Sequence, residues 1–301
     1  DSLHDKLMKL PEGVEVYPAH GAGSLCGRQM SSERSSTIGK EKTTNYALRA
    51  ASREEFVRLL TSELPERPGY FALDAEINRA GAPALSELPP LPALRPAEAL
   101  AKQKEGATIL DTRPGDQFAA AHIPGSIYIG LTGQYASWAG ILLGLDQEII
   151  LVAEDMEQVA ESRLRLARVG IERVVGYLAD GIAGWTSAGL PVVETPTILP
   201  EELHRLLRED GRDLQLLDVR RPPEWEDGHI EQAALKPLNK LTASLASLDP
   251  QRLTLVHCKS GYRSLIATSL LQRSGFAQVV NVTGGFDAWQ ALRLPSVAAK
   301  P

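Results

Sequence analysis

The feature that most constrains the fold of this chain is an internal repeat. Asp111-Thr-Arg113 is matched by Asp218-Val-Arg220, and His122-Ile is matched by His229-Ile, each 107 residues further along the sequence. Later in each copy, a glycine and a turn that contains a tryptophan recur at a spacing of about 105 residues. A period of this length is typical of a duplicated domain, because solenoid repeats are only roughly 20–50 residues long.

Each copy alternates short apolar segments with helical patterns. Ile266, Ala267, Leu270 and Leu271 share one helical face in the second copy, and Gly275 provides the C-terminal stop. Such alternation predicts an α/β fold, with a parallel sheet flanked by helices in each copy. The predicted strands are residues 108–111, 149–152 and 173–176 in the first copy and 214–218, 253–256 and 279–282 in the second.

A reactive cysteine is predicted after the middle strand of the second copy. The segment from Cys258 to Arg263 joins this strand to a helix, so the thiol lies where backbone N–H groups converge. That geometry favours a thiolate and stabilises an anion on the sulfur. The candidate catalytic residues are Cys258, Lys259 and Arg263, with the two cations holding an anion. The candidate binding residues are Ser260, Gly261, Tyr262 and Ser264 in the loop, and Asp218 and Arg220 at a strand end.

The first copy lacks this cysteine. The repeat places Ala153 at the position of Cys258, or Glu154 if the alignment shifts by one residue. Asp155 and Glu157 make this loop acidic, so it would repel a thiolate or an anionic sulfur compound. The first copy is therefore predicted to be catalytically inactive.

Other conspicuous residues are predicted to be structural. A lone cysteine after a strand is usually a small buried hydrophobe. The catalytic interpretation of Cys258 therefore depends on the Lys-Ser-Gly-Tyr-Arg segment that follows it. Cys26 is predicted to pack in a glycine-rich loop, with a resolving thiol as the alternative. The remaining predictions assign packing in the strand to His257, hydrogen bonding to His122 and His229, and core positions to Trp185 and Trp289.

Composition excludes several functional classes. A net charge of −6 and a pI near 5.6 argue against nucleic acid as the main partner. No apolar run approaches the roughly 20 residues that span a bilayer, so no membrane partner is expected. Two cysteines do not make a disulfide framework, and no secretory signal is visible, which predicts a cytoplasmic protein. Whether the protein is a homo-oligomer stays open.

A proline-dense stretch suggests a linker before the repeat. Four domains and segments are predicted: residues 1–84, a linker at 85–92, the first copy at 93–195 and the second at 196–301. The strands and helices of residues 1–84 have no obvious partner sheet, and the chain begins with Asp1, so a preceding portion is expected. His20, in a glycine-rich loop, is a weak metal or second-shell candidate.

The N-terminal segment resembles the C-terminal end of a metallo-β-lactamase-fold αβ/βα domain. Tyr17-Pro-Ala-His20-Gly-Ala-Gly-Ser24 and Ser31-Ser-Glu-Arg-Ser-Ser-Thr-Ile-Gly39 carry this resemblance, which is strongest to the persulfide dioxygenases that are fused to rhodanese modules. The family's metal motif, H-x-H-x-D-H, is absent from the sequence. The resemblance therefore implies that iron (or zinc) is bound only by a missing N-terminal domain, that this chain holds no metal, and that His20 is a neighbouring non-ligand.

Both copies resemble the rhodanese (sulfurtransferase) domain. The shared motifs are Asp-x-Arg, the Gly/Ala-His-Ile segment, the Cys-x-x-Gly-x-Arg loop of the second copy and its Gly284-Gly-Phe-Asp-Ala-Trp289 turn. The resemblance implies that Cys258 carries a sulfane sulfur as a persulfide, without a cofactor. The implied partners are small sulfur compounds: thiosulfate, sulfite, and glutathione or other persulfides. Gln232-Ala-Ala-Leu235 departs from the usual Pro-Gly-Ala and is expected to change only a loop.

Two other classes of function compete with sulfur transfer. A cysteine-dependent phosphatase or arsenate reductase on this scaffold needs Cys-x5-Arg, whereas Cys258 and Arg263 form Cys-x4-Arg. A non-catalytic scaffold, with the inactive copy as an interface, is the third hypothesis.

Overall fold

The computed structural model describes residues 2–17, 35–50, 52–61, 69–81, 89–209 and 213–298. The chain forms two compact units, Asp1–Arg67 and Pro68–Pro301. His20, Cys26 and most of the proposed linker lie outside the described residues. The roles predicted for them, and the domain boundaries, stay predictions.

The first unit contains a small antiparallel sheet and short helices. Thr37 accepts a hydrogen bond from the Lys40 N–H at 3.2 Å and so caps the helix that follows the sheet. The resemblance of this unit to a metallo-β-lactamase-fold domain stays a prediction. Its elements are β1 (Glu15–Val16), β2 (Ser36–Thr37), α1 (Ile38–Thr44) and α2 (Arg53–Thr61), with a π-helical turn at Ser2–Lys6 and 3₁₀ turns at Leu7–Lys9 and Tyr46–Arg49.

The second unit contains two five-stranded sheets, and all strand pairs in them are parallel. The first sheet has the order β3-β7-β6-β4-β5 and consists of β3 (Ala93–Leu94), β4 (Thr108–Asp111), β5 (Ile127–Tyr128), β6 (Ile149–Val152) and β7 (Val174–Leu178). The second has the equivalent order β8-β12-β11-β9-β10 and consists of β8 (Thr197–Ile198), β9 (Leu214–Asp218), β10 (Ala234–Leu235), β11 (Leu253–His257) and β12 (Val279–Val282). The predicted α/β fold of two tandem copies is therefore confirmed.

Helices connect and cover these strands. They are α3 (Tyr70–Ala80), α4 (Pro96–Lys104), α5 (Gly115–Ala120), α6 (Tyr135–Leu142), α7 (Met156–Ala167), α8 (Gly181–Ser187), α9 (Pro200–Arg208), α10 (Pro222–Glu226), α11 (Leu241–Ser244), α12 (Tyr262–Arg273) and α13 (Gly285–Ala291), with 3₁₀ turns at Leu238–Lys240 and Leu245–Ser247. Every residue of α12 from Ser264 to Leu271 is buried. This helix is therefore an interior element, since a surface helix buries only one face.

The two copies share one apolar core. Leu110, Ile129 and Phe118 of the first copy belong to the same buried cluster as Val256 and Ile266 of the second. Trp185 and Trp289 are almost fully buried, as predicted, and the indole N–H of each donates at 2.9 Å to a proline carbonyl six residues further on. The shared core explains why both copies lie within one compact unit.

Helix α3 packs against the first copy. Tyr70 is buried, and its ring lies so close to Gly140 of α6 that a methyl group there would approach it to 2.6 Å. Asp74 and Ile77 lie beside Gly170 in the same way. This helix thus belongs to the larger unit, although it precedes the proline-dense stretch.

Candidate active site

Strand register identifies the counterpart of Cys258. His257 pairs with Asp218 across β11 and β9, and Val152 pairs with Asp111 across the equivalent strands β6 and β4. The residue after Val152 is Ala153, so Ala153 occupies the position of Cys258 without any shift. Of the two alternatives that the repeat allows, the structure selects Ala153.

Cys258 lies at the carboxyl end of β11, immediately before the loop that leads into α12. Its side chain is 1% exposed, and the Gly261 N–H donates to its Sγ at 3.1 Å. Gly261 precedes α12 with a φ of 110°, a conformation that favours glycine. The first N–H groups of a helix have no intrahelical partner, so those of α12 open onto this loop. The sulfur is therefore held by at least one N–H donor, in the arrangement expected for an anion cradle.

The loop is fastened to the start of α13. The Phe286 N–H donates to the Cys258 carbonyl at 2.8 Å, and the Asp287 N–H donates to the Lys259 carbonyl at 2.9 Å. This close approach requires Gly285, because a methyl group there would lie 2.5 Å from the Cys258 carbonyl oxygen. The glycine-rich turn thus fixes the backbone on which the thiol is carried.

Both cations of the loop are paired with carboxylates from other elements. Lys259 Nζ lies 2.9 Å from Asp287 Oδ1 at the surface. Arg263 donates two hydrogen bonds of 2.7 Å, one to each carboxylate oxygen of Glu224. Burial would raise the pKa of Glu224, but hydrogen bonding and charge from Arg263, with hydrogen bonds from Arg221, lower it to about 2. The proposed role of these cations toward an anionic donor stays a prediction.

Asp218 and Arg220 form a buried ion pair with each other. Arg220 Nε lies 2.9 and 3.0 Å from the two carboxylate oxygens, and one guanidinium nitrogen donates to the Gly228 carbonyl at 2.7 Å. Asp111 and Arg113 repeat this pair in the copy without a cysteine. The repetition favours a scaffolding role. Among the described residues, no hydrogen bond joins this pair to residues 258–263, so its predicted contribution to binding stays a prediction.

The remaining predicted loop residues surround Gly261. Ser264 donates through Oγ to the Gly261 carbonyl at 3.0 Å, and Ser260 is exposed. Tyr262 reaches the first copy, where its hydroxyl donates to the Gly130 carbonyl at 2.8 Å. Burial raises the pKa of this tyrosine, so its hydroxyl remains a donor at neutral pH. Thus the structure brings residues 258–264 together and connects them to the other copy.

The equivalent loop of the first copy is closed by its own side chains. Asp155 caps α7 by accepting from the Gln158 N–H at 2.8 Å, and Glu154 accepts from the Gln117 side chain at 2.5 Å. By the same register, Glu154 and Asp155 occupy the positions of Lys259 and Ser260, so this loop has carboxylates where the second copy has a cation and a hydroxyl. The geometry supports the prediction that the first copy does not use this loop for chemistry.

The histidines occupy structural positions. His257 is fully buried, with Nε2 3.7 Å from Asp218 Oδ2, and its burial lowers the pKa of the imidazole. His122 and His229 approach the carbonyls of Phe118 and Trp225 through Nδ1 at 2.9 and 3.0 Å. Each ring also stacks on the side chain of the residue whose carbonyl it approaches: His122 on Phe118, and His229 on Trp225.

Sequence reasoning missed Glu224 and Asp287 as partners of the loop cations. Glu224 belongs to a capping box at the start of α10, and Asp287 lies within the glycine-rich turn that the repeat displays. Neither the capping box nor the turn indicates which cation the carboxylate will bind, because the partners are 39 residues apart for Glu224 and Arg263 and 28 apart for Asp287 and Lys259.

Two further properties concern metals and membranes. No group of three or more histidine, cysteine, aspartate or glutamate side chains in the described ranges could hold a metal ion. Of the helices in the described part of the chain, none has the length and apolarity that a membrane span requires.

Comparison with known proteins gives several similarities. The chain is 34% identical over 131 residues to the probable adenylyltransferase/sulfurtransferase MoeZ of Mycobacterium tuberculosis, a match that spans 43% of this chain and only 31% of MoeZ. It is 34% identical over 89 residues to a sulfurtransferase of Allochromatium vinosum, over 30% of this chain and 83% of that protein. A solved metallo-beta-lactamase structure from Staphylococcus aureus is 28% identical, with a TM-score of 0.46 and coverage of 57% of this chain and 46% of that one.

The repeat itself is recognised by one family model. The model of the rhodanese-like domain matches residues 95–188 and 199–292, which hold both parallel sheets except the first strand of each. These two matches together cover more than half of the chain. The protein therefore belongs to the family of proteins with rhodanese-like domains.

Proposed function

We propose that this protein is a rhodanese-type sulfurtransferase in which Cys258 carries a sulfane sulfur. The observation that carries the proposal is the hydrogen bond from the Gly261 N–H to Cys258 Sγ, just before α12. The other copy has Ala153 at the position of this cysteine. A sulfurtransferase needs a nucleophilic thiolate and a cradle for the persulfide anion. The sulfurtransferases among the relatives support the same activity.

The proposed reaction has two balanced steps. In the first, the Cys258 thiolate attacks the outer sulfur of thiosulfate; a new S–S bond forms, the S–S bond of thiosulfate breaks, and sulfite leaves with the electron pair. In the second, an acceptor thiolate attacks the outer sulfur of the Cys258 persulfide, and the Cys258 thiolate leaves. A persulfide donor replaces thiosulfate in the first step with its own thiolate as the leaving group. Neither step requires a cofactor.

The wider proposal places this activity beside persulfide oxidation. The resemblance of the N-terminal segment suggests a full-length cytoplasmic protein whose iron-dependent domain oxidises a glutathione-type persulfide to sulfite. The second copy would then exchange sulfur between sulfite, thiosulfate and thiols, and the first would serve as a scaffold. Iron content and persulfide-dependent oxygen consumption of the full-length protein test this part; absence of both would contradict it.

The pairing of Arg263 disfavours the phosphatase alternative. A cysteine-dependent phosphatase uses its arginine to bind the oxyanion, but both terminal nitrogens of Arg263 are bound by Glu224. The four-residue spacing in Cys-x4-Arg also leaves a shorter loop than these enzymes need. Turnover of p-nitrophenyl phosphate that depends on Cys258 would revive this alternative.

Mass spectrometry of the intact protein tests the central proposal. After incubation with thiosulfate or glutathione persulfide, we expect the protein to gain one sulfur atom at Cys258 and to lose it on addition of cyanide. Cys258→Ser is expected to abolish both the gain and the transfer. Cys26→Ser, which removes the other cysteine of the chain, is the matched control and should keep both. Transfer that survives in Cys258→Ser would refute the assignment.

A further inference from the structure

A cleft lies between the two copies, beside the loop of Cys258. Its volume is about 600 Å³, and it is open to solvent. One wall comes from Asp116 and Tyr128 of the first copy, another from residues 194–197 between the copies, and the floor from Gly261, Leu265 and Asn281 of the second. Gly261 lines the cleft and donates to Cys258 Sγ, so the cleft lies next to the cradle of the proposed persulfide.

The floor of this cleft contains a polar group without a partner. Asn281 is 5% exposed, and its Oδ1 has no hydrogen bond within the described part of the protein. An unpartnered buried acceptor destabilises a folded protein, so such groups usually have a partner in the functional state. Asn281 belongs to β12, whose other residues are valines. The amide is thus suited to receive a donor from a bound molecule.

The charge of the cleft is negative. Asp116 and Glu194 line it and are exposed, and none of its described lining residues is basic. The nearest loop cations, Lys259 and Arg263, are bound to Asp287 and Glu224. A cleft of this sign attracts a cationic ligand and disfavours an anionic one, since two uncompensated carboxylates face the same space.

We propose that this cleft binds the sulfur acceptor, and that the acceptor is a small thiol with a protonated amino group. The ammonium group supplies both features that the cleft lacks: N–H donors for Asn281 Oδ1 and positive charge for Asp116 and Glu194. This inference rests on the proposed sulfur transfer through Cys258. It also gives the cysteine-free copy a function, because that copy contributes Asp116 and Tyr128 to the binding wall.

Transfer of sulfur to this acceptor is a thiolate exchange that needs no oxidant or reductant. The acceptor thiol loses its proton to solvent, and its thiolate attacks the outer sulfur of the Cys258 persulfide. The S–S bond to Cys258 breaks as the bond to the acceptor forms, and the electron pair returns to Cys258 Sγ. An acceptor persulfide leaves the cleft with its amino group unchanged.

Three thiols of similar size test the charge preference. Cysteamine carries an ammonium group, 2-mercaptoethanol is neutral and 3-mercaptopropionate is anionic. With the protein loaded with sulfane sulfur from thiosulfate, we expect kcat/KM per thiolate to fall in that order. Expressing rates per thiolate removes the different acidities of the three thiols. Equal values, or the reverse order, would overturn the proposal.

Charge-removing variants test whether Asp116 and Glu194 cause the preference for the ammonium thiol. Asp116→Asn and Glu194→Gln are each expected to lower the ratio of cysteamine to 2-mercaptoethanol about threefold to fivefold, as for one exposed ionic contact. Glu172→Gln, an exposed glutamate outside the cleft, is the matched control and should leave the ratio unchanged. A ratio that persists in the double variant of Asp116 and Glu194 would contradict the assignment.

Asn281→Leu separates binding from structure. We expect a loss of about tenfold in kcat/KM for cysteamine, with no fall in the thermal unfolding midpoint, because the substitution removes the buried Oδ1 acceptor that has no partner. A lower midpoint with an unchanged ratio would show that Asn281 is only structural and would overturn its role. Failure to form any persulfide on Cys258 would instead refute the proposed function, so the two failures are distinguishable.

Discussion

At the scale of single residues, the site is defined by how its charges are neutralised. Lys259 and Arg263 are each paired with one carboxylate, so the loop has little net charge of its own. The donor observed on Cys258 Sγ is instead the Gly261 N–H, an oriented backbone dipole that favours negative charge on the sulfur. The equivalent loop of the first copy differs in charge, because Ala153 is followed by the carboxylates of Glu154 and Asp155.

The Arg263–Glu224 pair predicts a pH dependence of stability. The pKa of Glu224 is about 2 in the folded protein, against an ordinary value of 4.5. This depression contributes up to about 3 kcal/mol above pH ~4.5, and the contribution is lost as the pH falls toward 2. We therefore expect Glu224→Gln to lower the thermal midpoint most at pH 7, with the difference from wild type shrinking as the pH approaches 3.

A matched control makes this test specific. Glu231→Gln removes an exposed glutamate of the same copy and should shift the midpoint little at any pH. A difference between Glu224→Gln and wild type that is constant from pH 7 to pH 3 would contradict the role given to the ion pair.

At the scale of elements, the position of the thiol depends on three pieces of backbone. Strand β11 presents Cys258, the start of α12 supplies N–H groups, and the start of α13 holds the loop carbonyls. Gly285 is essential to this contact, with a φ of 56° and no room for a side chain. The turn before α13 therefore acts on the thiol without touching the sulfur.

A pair of glycine substitutions tests this conclusion. Gly285→Ala is expected to displace the Cys258 carbonyl and to lower sulfur transfer at least about tenfold, the scale of a small misplacement of reacting groups. Gly275→Ala has a similar backbone cost, because its φ is 87°, but a methyl group there meets no atom within 4 Å. It should lower stability by about 1 kcal/mol and keep activity. Equal activities of the two variants would contradict the proposed fastening.

The sequence was sufficient to predict these elements, but not their contacts. Strands β4, β6, β9 and β12 begin and end at the predicted residues, because buried parallel strands are continuous apolar runs. The position of Cys258 followed from the same pattern. The partners of Lys259 and Arg263 did not, since Asp287 and Glu224 come from helices whose packing depends on the whole fold. The unpartnered Oδ1 of Asn281 could not be predicted either, because the cleft that it lines is formed by both copies.

At the scale of the whole molecule, the two copies are joined through α12. Ser269 accepts at 3.1 Å from the N–H of Tyr128, on the edge strand β5 of the first sheet. Arg273 donates to the Gly125 carbonyl at 3.0 Å, and Tyr262 reaches Gly130. The helix that begins at the cysteine loop thus also completes the edge of the copy without a cysteine.

This arrangement predicts that a substitution in one copy destabilises the other. Ser269→Ala leaves the buried Tyr128 N–H without its acceptor, which should cost about 1–3 kcal/mol and speed hydrogen exchange along β5. Thr268→Val is the matched control on the same helix: its hydroxyl is buried but donates only to the Leu265 carbonyl at 2.8 Å. It should leave exchange in β5 unchanged. If both variants behave alike, the serine contributes only to its own helix. If β5 responds to Ser269 alone, the copy without a cysteine is held in place by the helix that follows the Cys258 loop.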